Sequence, residues 1–253
     1  MLQRSNQLRF LVLSLVSLLV ASVGHAQILF DAETGVVFPG SYNDIRQPSP
    51  AGTLYNAFGP DFNVKPVINL RGRLGYTFND RHTIYATVAP LLIESIGKQP
   101  LTQSVRFDAI TVPAGRTLTT RYKFNGYRLT YRYHLIRRET FRLAVGLTGN
   151  VRDAFIEVQD GQQSRRFSDL GIVPLLSLYV NYQPGRFGLL LDGDGFASPF
   201  GRAEDVFAGV TYALRPKTKL RVGYRILEGG ANTDDFYNFT LFNTAAIGIQ
   251  IGL

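Results

Sequence analysis

The chain has no cysteine and no tryptophan, and only three of its 253 residues are histidine. Without cysteine there are neither disulfide staples nor thiol chemistry, which excludes a small disulfide-held module. Charge is scarce too: 18% of the residues are Asp, Glu, Lys or Arg, against roughly 25% in ordinary soluble domains. Long apolar runs are confined to the first segment. There Arg4 and Arg9 precede an apolar stretch from Phe10 to Val23, and Gly24-His25-Ala26 supplies the small residues of a cleavage site. The run is shorter than the ~20 residues a spanning helix needs, so Met1–Ala26 reads as a signal peptide cleaved after Ala26. No later stretch approaches a transmembrane helix, which excludes a helical membrane protein. Removing the segment takes two arginines and no acid, leaving 25 lysines and arginines against 19 acids, net +6. Those bases are spread along the chain, not gathered in a run, so nucleic acid is not an expected partner.

What the chain does have is alternation. Leu220, Val222, Tyr224 and Ile226 alternate with Arg221, Gly223, Arg225 and Leu227; Ala245, Ile247, Ile249 and Ile251 alternate with Thr244, Ala246, Gly248 and Gln250. A period of two means strands with unlike faces. The pattern begins at Gln27, where Ile28, Phe30, Ala32, Thr34 and Val36 oppose Leu29, Asp31, Glu33, Gly35 and Val37. It continues to Leu253, as expected if the last strand pairs with the first and leaves no edge.

Between the strands, tight turns are expected at Asn79–His82, Arg137–Glu139, Gln183–Arg186 and Arg215–Thr218. Longer connections are expected at Pro39–Pro66, Asp160–Asp169 and Ser198–Ala203. The stretch Ser104–Val112, then Pro113-Ala114-Gly115, then Thr117–Lys123 predicts a hairpin rising above the body. The count is about ten strands in one domain, Gln27–Leu253, with tight turns after the even strands and longer loops after the odd ones. That is the plan of an all-β, antiparallel up-and-down transmembrane barrel with short periplasmic turns and long extracellular loops.

Alternation alone does not say which face meets water, since a lipocalin-type soluble barrel inverts the arrangement. Composition decides it. The polar face holds Gly, Thr, Asn and isolated Arg, and lysine is almost absent from the strand bodies, whereas a water-exposed sheet would carry Lys and Glu. Tyr76, Phe78, Tyr133, Phe141, Tyr182, Phe187 and Tyr212 gather where apolar faces meet the short turns, as an interfacial aromatic girdle does. The apolar face is read as facing lipid. Gly223, on the polar face, reads as replaceable by serine at little cost.

With its signal peptide, its meander and a strand at its C-terminus, the chain resembles the small outer-membrane β-barrel proteins of Gram-negative bacteria over Gln27–Leu253. The resemblance implies an outer-membrane location, lipid contact along the wall and insertion by the barrel-assembly machinery. It points to no ligand for the outer loops. Enzymes of this kind that resemble lipases or omptins place a histidine with Ser or Asp near the outer rim. Here His82 and His134 both fall at the short-turn end, so catalysis is not expected, and no cofactor is implied.

The candidate site is the lumen. Asp31, Glu33, Arg71, Arg73, Arg128, Arg132, Arg142, Arg152, Asp192, Asp194, Arg221 and Arg225 all fall on the polar face. Buried charges must be paired, so these are read as one neutralising network, with Asp192 and Asp194 meeting Arg221 and Arg225 across the barrel. Asp192, Asp194 and Asp205, with Glu204, Glu228, Asp234 and Asp235 not far along the circumference, are weak candidates for a Ca²⁺ site. They lack the remaining ligand pattern of a calcium loop. Three functions follow in order. The first is a non-enzymatic barrel that scaffolds its outer loops or supports the envelope; the second is a narrow channel with slight anion preference. The third is a surface hydrolase using the acidic cluster.

Overall fold

The computed structural model describes residues 27–253, and the expected signal peptide, Met1–Ala26, lies outside them. Fifteen strands follow in order: β1 (Gln27–Arg46), β2 (Tyr55–Asn56), β3 (Phe62–Val64), β4 (Val67–Phe78), β5 (His82–Ala89), β6 (Leu92–Gly97), β7 (Val105–Phe107), β8 (Ile110–Val112), β9 (Thr119–Arg137), β10 (Phe141–Gln159), β11 (Ser164–Tyr182), β12 (Phe187–Ser198), β13 (Gly201–Arg215), β14 (Thr218–Asn232) and β15 (Tyr237–Gly252). Ten of these positions make the wall. Each wall strand pairs antiparallel with the next, and β1 pairs β15 from Leu29↔Gly252 to Arg46↔Tyr237, closing the ring. Closure leaves no edge, and every strand along the wall shares its backbone hydrogen bonds with two neighbours, the condition for crossing a bilayer in β form.

The faces follow the alternation. Val222, Leu189, Ile247, Leu70 and Leu129 point outward and are largely exposed. Asp31, Glu33, Arg73, Arg132 and Arg221 point inward and are buried. At the short-turn end Tyr76 stacks on Phe78 (6.1 Å between ring centroids) and Phe78 on His82 (5.1 Å), and His82 meets Tyr133 edge-on (5.2 Å). Phe187 and Tyr212 touch farther round (5.0 Å). His82 therefore belongs to the girdle.

Several boundaries differ from the sequence reading, each for a visible reason. The β1 strand does not stop at Pro39. A bulge between Pro39 and Asn43 absorbs the proline and the strand runs on to Arg46, bulges being where a strand tolerates a missing donor. The strand that follows the expected turn at Asn79–His82 is interrupted at Pro90-Leu91, dividing β5 from β6. The expected hairpin is real but turns elsewhere. Its arms are β7 and β8, its turn is Asp108-Ala109 with Asp108 at φ 48°, and Thr119–Lys123 belongs to the wall strand β9. The loop expected at Asp160–Asp169 is four residues long. Asp160 accepts from the backbone N–H of Gln162 and Gln163 (both 2.9 Å), and Gly161 takes φ +85°. That is an Asx-type turn with glycine where left-handed backbone is needed. The loop expected at Ser198–Ala203 shrinks to Pro199-Phe200.

These changes share a cause. The strands β9, β10 and β11 are each 19 residues long, whereas roughly 9–11 residues cross a bilayer. The surplus projects beyond the membrane at the long-loop end, where the outer face of a strand becomes polar and the apolar-out pattern of the wall is lost. The projecting wall is filled from inside. The segment from Gln47 to Pro66 and the β7–β8 hairpin fold over the mouth, and Val37, Ile45, Val105, Phe107, Val112, Leu118, Tyr122, Phe124, Ile156, Val158 and Phe242 form an apolar core there. Phe242 packs against Phe58 (5.6 Å), Tyr122 (5.8 Å) and Phe124 (6.5 Å).

Candidate functional site

Below the apolar core the lumen is packed with charge. Asp192 accepts from Arg73 Nη1 (2.7 Å) on one oxygen and from Arg132 Nη2 (2.6 Å) on the other. Asp194 accepts from Arg128 (3.4 Å), Ser177 (2.6 Å) and Thr148 (2.9 Å). Asp205 takes Arg71 at 2.7 Å together with Arg128 and Arg225. Glu33 bridges Arg221 Nη2 (2.8 Å) and Arg225 Nε (2.6 Å), and Arg221 also holds Asp31 in a two-pronged pair (Nη2 to Oδ1 2.6 Å). Six arginines and five carboxylates are thus joined in one buried web, each carboxylate reached by at least one guanidinium. Guanidinium groups also lie over aromatic faces: Arg73 and Arg132 over Tyr85 (5.1 and 5.5 Å), Arg132 over Tyr179 (5.6 Å), Arg221 and Arg225 over Phe207 (5.4 and 5.5 Å). Arg132 is fully buried. The choice of arginine over lysine fits: its planar fork meets two acceptors at once while its faces stack.

The pairing differs from the one expected. Asp192 and Asp194 do not meet Arg221 and Arg225. They reach arginines of β4 and β9 across the lumen, while Arg221 and Arg225 turn to Asp31 and Glu33 on β1, two strands away. Two expected members stand outside the web. Arg142 is exposed at the short-turn end, because it lies at the first turn of β10, below the acids. Arg152 sits in the projecting part of the wall and pairs with Asp169 instead. Asp205, read only as a metal candidate, is central to the web. Its place was signalled by Phe207 two residues on, a lumen-face residue in the same alternation. Tyr85 and Tyr179 were also missed, though Tyr85 shares the inward face of Thr83 and Thr87, and Tyr179 lies in register with Asp192. Among the outlying acids, Glu228 pairs with Arg202 and accepts from Tyr42 at the loop end.

As a Ca²⁺ site, Asp192, Asp194 and Asp205 fit poorly. Every one of their oxygens already accepts from an arginine or hydroxyl, and no cluster of three or more metal-ligating side chains occurs among the described residues. The same contacts leave the acids tied up as charge partners. Neither His134 nor His82 hydrogen-bonds to these acids among the described residues; His82 Nδ1 meets the Tyr131 hydroxyl (2.8 Å) and His134 Nε2 the Thr83 hydroxyl (3.1 Å).

The space left over lies at the two ends. Within the web the gaps are about 20 and 10 Å³, no more than a water each. At the loop end a cleft of about 580 Å³ opens between the Tyr55–Phe62 segment and Gly97–Thr102. Its walls are tied to each other: Lys98 N–H donates to Asp61 O (2.8 Å), Lys98 Nζ to Pro60 O (2.7 Å), Gly97 N–H to Leu118 O (2.8 Å) and Leu101 N–H to Arg116 O (2.8 Å). Tyr55, Phe62 and Leu101 give it apolar surface, and Asp61, Gln99 and Thr102 polar groups. At the short-turn end a smaller cavity of about 100 Å³ lies among the strand termini.

The sequence matches no protein-family model, and no curated protein matches it. In fold the chain is similar to the outer-membrane protease OmpT from Escherichia coli, with a TM-score of 0.59 and 10% identity over 90% of this chain and 97% of that one. Looser likenesses are to Ail, the attachment invasion locus protein of Yersinia pestis (TM-score 0.37, 9% identity, 90% and 99% covered), and to Neisserial surface protein A (0.32, 13%, 89% and 96%). At such identities the OmpT likeness speaks for the fold and not the chemistry. The closed ten-strand ring, the lipid-type outer face and this likeness together give the chain the architecture of the small outer-membrane β-barrel proteins.

Proposed function

We propose that this protein is an integral barrel of the bacterial outer membrane that passes no solute and works through its outer end, as a non-enzymatic binding scaffold. The observation that carries this reading is the filled lumen. Web and apolar core together occupy the interior from β4 and β14 across to β9 and β12, leaving gaps the size of single waters. Opening a channel would expose an apolar core to water and unpair buried charges, at several kcal/mol for each ion left alone. Above this plug, the cleft of about 580 Å³ has the size of an ordinary small-molecule site, and its walls are held by backbone hydrogen bonds rather than hanging free. A rigid, closed barrel that holds a structured outer head is the form expected of a presenter of loops.

The anion-channel and hydrolase readings have less support. An excess of one arginine over the acids makes the lumen slightly positive, but the gaps within the web among the described residues, about 20 and 10 Å³, speak against conduction. Asp192, Asp194 and Asp205, the buried acids a hydrolase would use, each serve as acceptors for arginine. A planar-bilayer recording tests the proposal: purified protein should give no unitary conductance over background at either polarity. Regular conductance steps with anion selectivity would replace this reading with the channel. Orientation is tested on intact cells, where an epitope in the Pro39–Pro66 segment should be labelled and one at Arg215–Thr218 should not.

A further inference from the structure

The cavity at the short-turn end has a composition unlike that of the web and the outer cleft. Its rim and walls carry Arg137, Arg142, Lys217, Lys219 and His134, converging from β9, β10, β14 and the turn before it, and no carboxylate lines it. The contrast with the web above is direct. There every carboxylate and guanidinium is matched. Here, among the described residues, Arg142 and Lys217 make no ion pair, Lys219 Nζ donates only to the amide oxygen of Asn181 (3.3 Å), and Arg137 reaches Asp80 (3.2 Å), an exposed turn residue outside the cavity. Residues 1–26 contain no Asp or Glu that would supply the missing charge.

Four permanent cations around so small a space repel one another. A cleft with low-dielectric walls concentrates their field and with it the local density of anions. Above them Tyr85 and Tyr179 close the cavity, and their other sides face Arg73 and Arg132 of the web, whose positive charge is already spent on Asp192. Uncharged polar groups complete the lining: Thr77, Gln27 and Gln250. Cationic groups from four chain segments with neutral hydrogen-bond donors between them form the kind of surface that holds a tetrahedral oxyanion, whose several oxygens each accept more than one bond. The volume, about 100 Å³, equals roughly three waters. It admits one phosphate-sized ion and excludes a macromolecule.

We propose that this cavity is a binding site for a small polyvalent oxyanion of the phosphate or sulfate type, entered from the short-turn, periplasmic end. The site is independent of the outer cleft, since the filled lumen separates them. Its charge comes from side chains at strand ends that the fold does not need for pairing. The phosphate chemistry has two sources, a free ion or a lipid headgroup leaning in from the inner leaflet, and the free ion is the one that a space of about 100 Å³, open to the periplasmic side and lined by exposed strand-end cations, favours.

The test uses the mature, full-length barrel in non-ionic detergent without phospholipid, titrated with inorganic phosphate at constant ionic strength in chloride. Saturable binding of one phosphate per barrel is expected. It should weaken at least tenfold in Arg142→Gln and in Lys219→Gln, and stay unchanged in Arg166→Gln at the opposite end. Each variant is first shown to be folded by its heat-modifiable migration on a gel. Lys217→Gln, in the exposed turn, gives a second weakened case where packing is not in question. Absence of saturable binding overturns the proposal, and so does binding that all three short-turn variants retain. The titration is then repeated in phosphatidylcholine vesicles with and without phosphatidylglycerol. Phosphate binding that survives in both keeps the free ion as occupant, while its loss only with phosphatidylglycerol overturns that assignment in favour of a headgroup.

Discussion

One wall encloses two interiors built on opposite principles. Between the short-turn end and mid-barrel, the lumen is a web of arginines and carboxylates with aromatic faces laid against them. Beyond it, at the loop end, the same strands enclose Phe107, Phe124, Val158 and Phe242 as an ordinary apolar core. The difference follows from what lies outside. Where the outer face is lipid-like, the fold cannot gain by burying apolar groups inside as well, because lipid already accepts them. Polar groups are put inside, and once there they must be paired. Where the strands project into water, the usual rule returns and the inside becomes apolar.

Removing one member from either interior should be costly, but with different consequences. Asp205→Asn takes the shared acceptor from Arg71, Arg128 and Arg225 and should lower stability by about 3–5 kcal/mol, the usual loss when a buried pair is broken. Phe242→Ala should cost about 3–5 kcal/mol by cavity formation. Urea unfolding in bilayers measures both. Limited proteolysis separates them, since Phe242→Ala should expose the Gln47–Pro66 segment to cleavage while Asp205→Asn should not. Equal protease sensitivity in the two variants would mean that web and core form one cooperative unit and that the division is false.

The outer face distinguishes the regions next. Val222 is 58% exposed on the lipid-type face, and Val222→Arg should destabilise by about 2–4 kcal/mol if it lies at mid-depth. Its neighbour Gly223 was expected to accept serine freely, and the structure says otherwise. A Cβ at Gly223 would stand 2.3 Å from the Ala208 carbonyl oxygen and 2.7 Å from the Phe207 ring, and Gly209 across the strand pair is equally tight. The two glycines make room for the ring on which Arg221 and Arg225 lie. Gly223→Ser should therefore disturb the web, and a serine variant as stable as the parent would overturn that packing.

This pair shows how far the sequence could be read. Alternation in β14 placed Val222 outside and Arg221, Gly223 and Arg225 inside, because side-chain direction in a strand depends only on parity. The ring count and the girdle were legible for the same reason. Partners were not. Which carboxylate Arg221 meets depends on the stagger of strands round the ring, and a single strand carries no record of it. The upper interior was illegible for another reason: in Ser164–Asp169 and Gly201–Glu204 the outer face is polar, so parity no longer contrasts and strands read as loops. Asp205 could have been found, being two residues from Phe207, but the nearby acids suggested a metal cluster instead.

Coupling within the web should be smaller than the single losses. Arg73 has Asp192 as its acid partner, so Arg73→Gln should recover part of what Asp192→Asn loses, with an interaction of about 0.5–3 kcal/mol in a double-mutant cycle. No such recovery is expected from Arg221→Gln, which pairs with Asp31 and Glu33. Recovery by Arg221→Gln and not by Arg73→Gln would mean that the lumen is staggered differently from the arrangement described.

The smallest effect belongs to the projecting wall, at the turn that replaces an expected loop. The backbone N–H groups of Gln163 and Gln162 donate to the Asp160 carboxylate and hold its pKa below the ordinary value. A carboxyl with a lowered folded-state pKa contributes stability above its unfolded pKa and loses it as pH falls through the folded value. Hydrogen exchange at Gln162 and Gln163 should thus show protection at neutral pH that fades only below the usual carboxylate range. Asp160→Ala should abolish the protection at every pH, while Asp160→Asn, which keeps an acceptor oxygen, should retain part of it without the acid dependence. Because the turn is outside both interiors, neither variant should change the unfolding of the web. If Asp160→Ala lowered global stability as much as Asp205→Asn does, the projecting strands would have to be counted as part of the same cooperative body as the membrane-spanning ring.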